Sequence, residues 1–239
     1  MRLPTTDLTN FMRFRPLIQQ TLEMLAPLPC QAVALPETFR HIARPELDGI
    51  LVMETQFFRV AEHGQLRLVH IYAPKINILT LFFFPDAHWQ LPIYCLELVV
   101  LGIQPIVALL DCVCLMPMAC SQPVADFMAA AHHSHPDLNQ AADPPDWFGQ
   151  CRSGADFFLR PDNEAQMAAI GQIHLDLLAG PMQALLANAQ TFCPSETVRH
   201  QQLLQAYKHH HHLNAPGLRL MNRSFGEQWT ADYMAVLFQ

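Results

Sequence analysis

The sequence of 239 residues carries fourteen Lys plus Arg against twenty-one Asp plus Glu, giving a net charge of −7, with 51% hydrophobic and only 15% charged residues. That balance leaves no basic stripe for nucleic acid, and no stretch reaches the ~18 uncharged apolar residues of a membrane span. Seven cysteines without framework spacing and no secretory leader pattern at the N-terminus point to a reducing compartment, so the expectation is one cytoplasmic domain over residues 1–239.

Residues 10–26 (NFMRFRPLIQQTLEMLA) place Phe11, Phe14, Leu17, Thr21 and Leu22 at helical spacing and predict an amphipathic helix. Residues 27–49 hold four prolines and read as irregular or short elements. ILVMETQFFRVA, then Glu62-His63-Gly64, then LRLVHIY predict a β-hairpin. In the following INILTLFFF, Ile76, Ile78, Thr80, Phe82 and Phe84 share one face, because strand side chains alternate. IYCLELVVL likewise puts Ile93, Cys95, Glu97, Val99 and Leu101 on one face, and PIVALLD (105–111) closes the series. These strands are apolar on both sides, so both faces are expected to be covered.

The second half reads as mostly helical. PVADFMAAAHHSH is one helix and GADFFLRP a further strand. Asp162 is expected to cap a helix carrying Met167, Ile170, Ile173 and Leu177, interrupted at Gly180-Pro181. Ser195 is expected to cap another that runs through the histidines at 209–212. Helix, consecutive strands, then helices predict an α+β domain with an antiparallel sheet between helical layers.

Motifs for bound cofactors are absent from the sequence. Nine glycines include no GxG, so neither a Rossmann fingerprint nor a P-loop is present as usually written, and there is no GxSxG elbow. Cys112-Val113-Cys114 with Cys120 does not meet zinc-ligand spacing and reads as small buried residues. His209 and His212, at i and i+3, have the spacing to chelate a metal, but a solvated helix face is the plainer reading. Glu97 stands out because it sits in LPIYCLELVVL with no nearer cation than Lys75 and Arg152 in the sequence. Facing inward, its carboxyl would be desolvated, its pKa raised, and its proton kept near neutrality for donation to an apolar substrate. The plainer alternatives are a carboxylate bonded to a tyrosine or backbone group, or one reaching water at a strand edge.

The stretch FFFPDAHWQLPIYCLELVVLGIQPIVALLD resembles the central signature of the ferredoxin-dependent bilin reductases, with Phe84-Pro85, Leu91-Pro92-Ile93 and Asp111 in register. Trp147, FFLRP (157–161) and the closing SFGEQWTADYMAVLF extend the likeness over roughly residues 45–238. The resemblance implies a three-layer α/β/α sandwich with a pocket between the sheet and the C-terminal helices. It implies reduction of biliverdin IXα to a phytobilin through bilin radicals, with electrons from a [2Fe-2S] ferredoxin, no bound metal or organic cofactor, and a monomeric enzyme.

On the same resemblance, Glu97 takes the place of a catalytic aspartate and Arg160 that of a residue holding a substrate propionate through its bidentate fork. Thr80 falls where members carry histidine or asparagine. His70-Ile71-Tyr72 is the nearest equivalent of a His-x-Glu arrangement, so protons are expected to pass through His70, Tyr72 or water. Ala215 falls where several members carry an aspartate, and the neighbouring Asn214 matches an asparagine of the phycocyanobilin-forming branch. Ile106 and Leu220 are expected to line the substrate pocket. An acidic ferredoxin would need a local basic patch, for which Arg199, Lys208, Arg219 and Arg223 are the candidates. Two other outcomes stay open: a bilin-binding protein without reductase activity, and a reductase of another open-chain tetrapyrrole.

Overall fold

Strand alternation dominates the architecture. The computed structural model describes residues 13–46, 49–118, 121–138 and 144–238. Eight strands form one sheet: β1 (Cys30–Val33), β2 (His41–Glu46), β3 (Gly49–Val60), β4 (Gly64–Ala73), β5 (Ile76–Pro85), β6 (Ile93–Leu101), β7 (Gln104–Val113) and β8 (Phe157–Leu159). Their order is β1-β3-β4-β5-β6-β7-β8, with β2 also on β3, and every pairing is antiparallel.

The helices are α1 (Arg15–Leu25), α2 (Glu37–Arg40), α3 (Gln122–Ser134), α4 (Asp146–Gly149), α5 (Glu164–Leu177), α6 (Gln183–Ala187), α7 (Pro194–Asn214), α8 (Leu218–Phe225) and α9 (Glu227–Leu237). Leu66, Leu68, Leu79, Leu81, Leu96 and Leu98 face one helical layer, contributed by α1, α3, α5 and α6. The intervening Val69, Ile71, Phe82, Phe84, Ile93 and Cys95 face the other, built from α7, α8 and α9. Helices therefore flank the antiparallel sheet on both sides, which is why its strands are apolar on both faces.

The helix boundaries correct two caps. Asn163, not Asp162, caps α5, its side chain accepting from the Gln166 N–H at 3.1 Å. Cys193, not Ser195, caps α7: Pro194 sits in the first turn, and the Cys193 N–H donates to Glu196 Oε2 at 3.1 Å. Pro194 at that position loses no helical hydrogen bond, so the helix begins there. The interruption near Gly180-Pro181 is a π-helical turn over Leu178–Met182. Phe11 and Cys120 lie outside the described residues.

Two local features fix the strands that matter below. Gly64 opens β4 where β3, β4 and β5 crowd together, and a Cβ there would lie 2.8 Å from Pro85 Cα and closer still to the Phe84 carbonyl oxygen. Gly226 joins α8 to α9 at φ 92°, a conformation that disfavours other residues.

Under the sheet, the Thr21 hydroxyl donates to Leu17 O at 2.7 Å and lies 2.8 Å from His174 Nε2. Its proton is thus committed, so Nε2 carries the imidazole hydrogen and Nδ1 accepts from the Tyr94 hydroxyl. Burial pushes His174 down to about 3, which keeps it neutral. This chain ties α1 and α5 to the underside of β6.

Candidate active site

A cavity of about 390 Å³ opens between the second face of the sheet and α7–α9. Its floor is set by register: Val69 pairs with Thr80, Thr80 with Glu97, and Glu97 with Leu109, one row across four strands. The next row on that face runs Arg67, Phe82, Cys95, Asp111. The roof comes from Trp147, His211, Ala215, Leu220, Met221, Arg223, Tyr233 and Phe238, among others.

Glu97 is half-buried, and it lines the cavity beside Thr80 and Val99. Desolvation raises its carboxyl to about 7, with no hydrogen bond or ion pair from the described residues to offset it. It is therefore an acid that holds its proton close to neutrality. Directly opposite, Thr80 offers a hydroxyl that hydrogen-bonds without titrating there.

The roof contributes a second titratable group, His211, 4% exposed. Its ring packs 4.4 Å from Tyr207, 5.5 Å from Trp147 and 5.6 Å from Phe82, measured between centroids. Its Nε2 lies 3.4 Å from Cys151 Sγ. Burial, with a smaller contribution from His210, lowers it to about 4. Behind these groups Asp111 is buried and raised to about 6, chiefly by desolvation, although the Ser153 N–H donates to its Oδ2 at 3.1 Å. The other oxygen, Oδ1, has no partner among the described residues.

The sequence expectations divide. Glu97, Thr80 and Leu220 meet in the cavity wall. His70 and Tyr72 do not: alternation along β4 turns them to the opposite face from Val69 and Ile71. There His70 Nε2 pairs with Asn77 Oδ1 at 3.0 Å, and the Tyr72 hydroxyl donates to Glu54 at 3.0 Å. A proton route to the cavity through either residue is thereby corrected, because the sheet lies between. Arg160 is exposed beyond the end of β8 and is not part of the wall. Asn214 donates to the His210 carbonyl at 2.8 Å, leaving its neighbour Ala215 in the wall instead. Ile106 is the extra residue where the β6–β7 register shifts, and it too lies outside the wall.

The cation at the cavity is Arg223 rather than Arg160. Of the proposed basic patch, Arg219 and Arg223 lie one turn apart on α8, both exposed. Lys208 is instead half-buried, its ammonium 4.9 Å from the centre of the Phe84 ring, and burial lowers it to about 8. His211 had a signal in the sequence. Positions 200, 204, 207 and 211 are the buried residues of α7 and mark its inner face, whereas the i, i+3 pair His209 and His212 points elsewhere.

Among the described residues no group of three or more His, Cys, Asp or Glu side chains is placed to hold a metal ion. No described helix is long and apolar enough to cross a membrane.

A family model described as ferredoxin-dependent bilin reductase matches residues 18–239. The phycocyanobilin:ferredoxin oxidoreductase of Synechococcus sp. (strain CC9902) is 26% identical over a 225-residue alignment that covers 91% of this chain and 86% of that protein. Among solved structures, phytochromobilin synthase from tomato in complex with biliverdin has a TM-score of 0.77 at 16% identity, covering 94% of this chain and 82% of the other. At that identity the likeness speaks for the fold.

Proposed function

Because the chain belongs to the ferredoxin-dependent bilin reductase family, we propose that it reduces biliverdin IXα, an open-chain tetrapyrrole, with single electrons from ferredoxin and protons from the cavity wall. The observation that carries this reading is Glu97, an acid held near neutrality by an apolar cavity. Each reduced double bond takes up two electrons and two protons. Ferredoxin gives one electron at a time, so the half-reduced bilin is a radical that a nearby acid must protonate. Glu97 supplies a proton from its carboxyl and reloads from water at the open side. The apolar walls suit the conjugated body of such a pigment, and the few polar groups orient it.

Arg223 is the cation available to a propionate. Arg223→Gln is expected to weaken biliverdin affinity about fivefold, a modest effect because the guanidinium is exposed. Spectral titration measures it, with the rate at saturating pigment unchanged.

Thr80 and Ala215 in the wall, neither able to titrate, favour a second reading in which the protein binds bilin without reducing it. One experiment separates the two. With biliverdin and reduced ferredoxin under anaerobic conditions, a reductase bleaches or shifts the biliverdin band through transient radical absorption. A stable green complex, unchanged under reduction, selects the second reading.

A further inference from the structure

We infer that His211 is the second proton donor of the cavity, acting from the helical roof while Glu97 acts from the sheet, with Cys151 as the residue that positions its ring. The inference rests on the bilin-reduction reading and deepens it.

The geometry is specific. Among the described residues the titratable side chains lining the cavity are Glu97, His211, Arg223 and Tyr233. Tyr233 shares a hydrogen bond with Thr55 Oγ1 at 3.0 Å, and burial drives its phenol far above neutrality. Arg223 does not release its proton at neutral pH. Ala215, one turn beyond His211 and in the same wall, carries no exchangeable hydrogen. Two groups remain whose side chains can carry a transferable proton, Glu97 on the sheet and His211 on the roof, and of these only Glu97 holds one near neutrality unaided.

Cys151 sets the tautomer. Its Sγ also lies 3.3 Å from the Phe148 carbonyl, and a thiol that donates there can only accept from His211. His211 Nε2 therefore carries hydrogen toward the sulfur. Its Nδ1, which makes no hydrogen bond among the described residues, is the atom that gains and loses a proton.

Burial keeps His211 neutral in the protein by itself. An electron arriving on a bound bilin adds negative charge beside it, which favours the imidazolium. Proton uptake is thereby coupled to electron arrival. For one reduced double bond, two reduced ferredoxins each lose one electron. Glu97 gives one proton and becomes carboxylate, His211 Nδ1 gives the other and returns to imidazole, and both reload from water.

Burial and then His210 set the titration of this ring. The other titratable groups around it are Cys151 after α4 and Tyr207 on α7, which it touches, and Glu97 on β6, Arg223 on α8 and Tyr233 on α9 in the same cavity wall. Cys95 on β6 and Asp111 on β7 lie beyond Tyr207.

The test is single-turnover decay of the biliverdin radical, followed against pH after photoreduction of ferredoxin, with biliverdin affinity measured on the same samples. His211→Gln is expected to bind the pigment normally and form the radical, then lose it about a hundredfold more slowly, the lower end of general-acid contributions. Cys151→Ala is expected to keep the cavity and move the pH midpoint of decay downward, because the imidazolium loses an acceptor. Unchanged decay in H211Q overturns the assignment of His211, and an unchanged midpoint in C151A overturns that of Cys151. If the native protein leaves biliverdin unreduced, the bilin reading itself fails, which is a different result from an unaffected variant.

Discussion

Replacing Glu97 with glutamine is expected to leave biliverdin bound and to lower its turnover about 10³-fold. The two side chains have nearly the same shape, so the cavity and its row of Val69, Thr80 and Leu109 persist. What disappears is a proton that the carboxyl holds up to about pH 7. In the native protein the rate should therefore fall as pH rises through about 7, and that limb should vanish in E97Q. Steady-state kinetics beside a binding titration measures both, and an E97Q protein with native turnover removes Glu97 from the mechanism.

The same substitution has a stability signature of fixed sign. Folding raises this carboxyl from its ordinary 4.5 to about 7, so between those values the folded state keeps a proton the unfolded chain has released. The contribution is complete below about pH 4.5 and is lost as pH climbs through 7. Above 7 the native protein carries an ionised carboxylate in an apolar wall, and E97Q does not. At about 1.4 kcal/mol per pH unit the difference approaches about 3 kcal/mol, reduced by any water the open side admits. Urea unfolding should find E97Q the more stable protein at pH 8 and the two nearly equal at pH 4.

Gly64→Ala is expected to cost about 3 kcal/mol and to lower the melting temperature by about 10 °C. The obstruction is main chain: the new methyl meets the Phe84 carbonyl oxygen and Pro85 Cα. Neither swings aside as a side-chain tip would. Relief requires β5 to move off β4, and β5 carries Thr80 and Phe82 into the cavity, so pigment affinity should fall together with stability. A G64A protein that melts within 2 °C of the native one would show that the hairpin yields more easily than its packing indicates.

The sheet was the legible part of the sequence, and for a physical reason. Each long strand alternates, so INILTLFFF and IYCLELVVL declare which residues share a face, and Glu97 opposite Thr80 follows once the register is known. The resemblance carried the identification and the position of Glu97. It failed at His70 and Tyr72, where a motif equivalence ignored parity along β4: Val69 and Ile71 face the cavity, so the residues on either side of Ile71 cannot. The roof was harder to read because it is made by docking of α7, α8 and α9: spacing marks the inner face of α7 but not what that face meets. His211 hid within a run of four histidines, three of which serve other surroundings. Arg223, expected in a basic patch, also reaches the cavity wall because α8 packs over it. Arg160, which the resemblance places on a propionate, sits past the last residue of a three-residue strand and is exposed.

The division of the cavity between floor and roof also bears on the order in which the molecule assembles. β3 to β7 follow one another antiparallel through short connections, the longest between Pro85 and Ile93, so their contacts are close in sequence and form early in a growing chain. The floor, complete by Val113, then waits for Trp147 and residues 211–238 to cover it. During synthesis the emerging polypeptide presents a broad greasy slab before it has any means of holding pigment, a stage at which chaperones would be needed most.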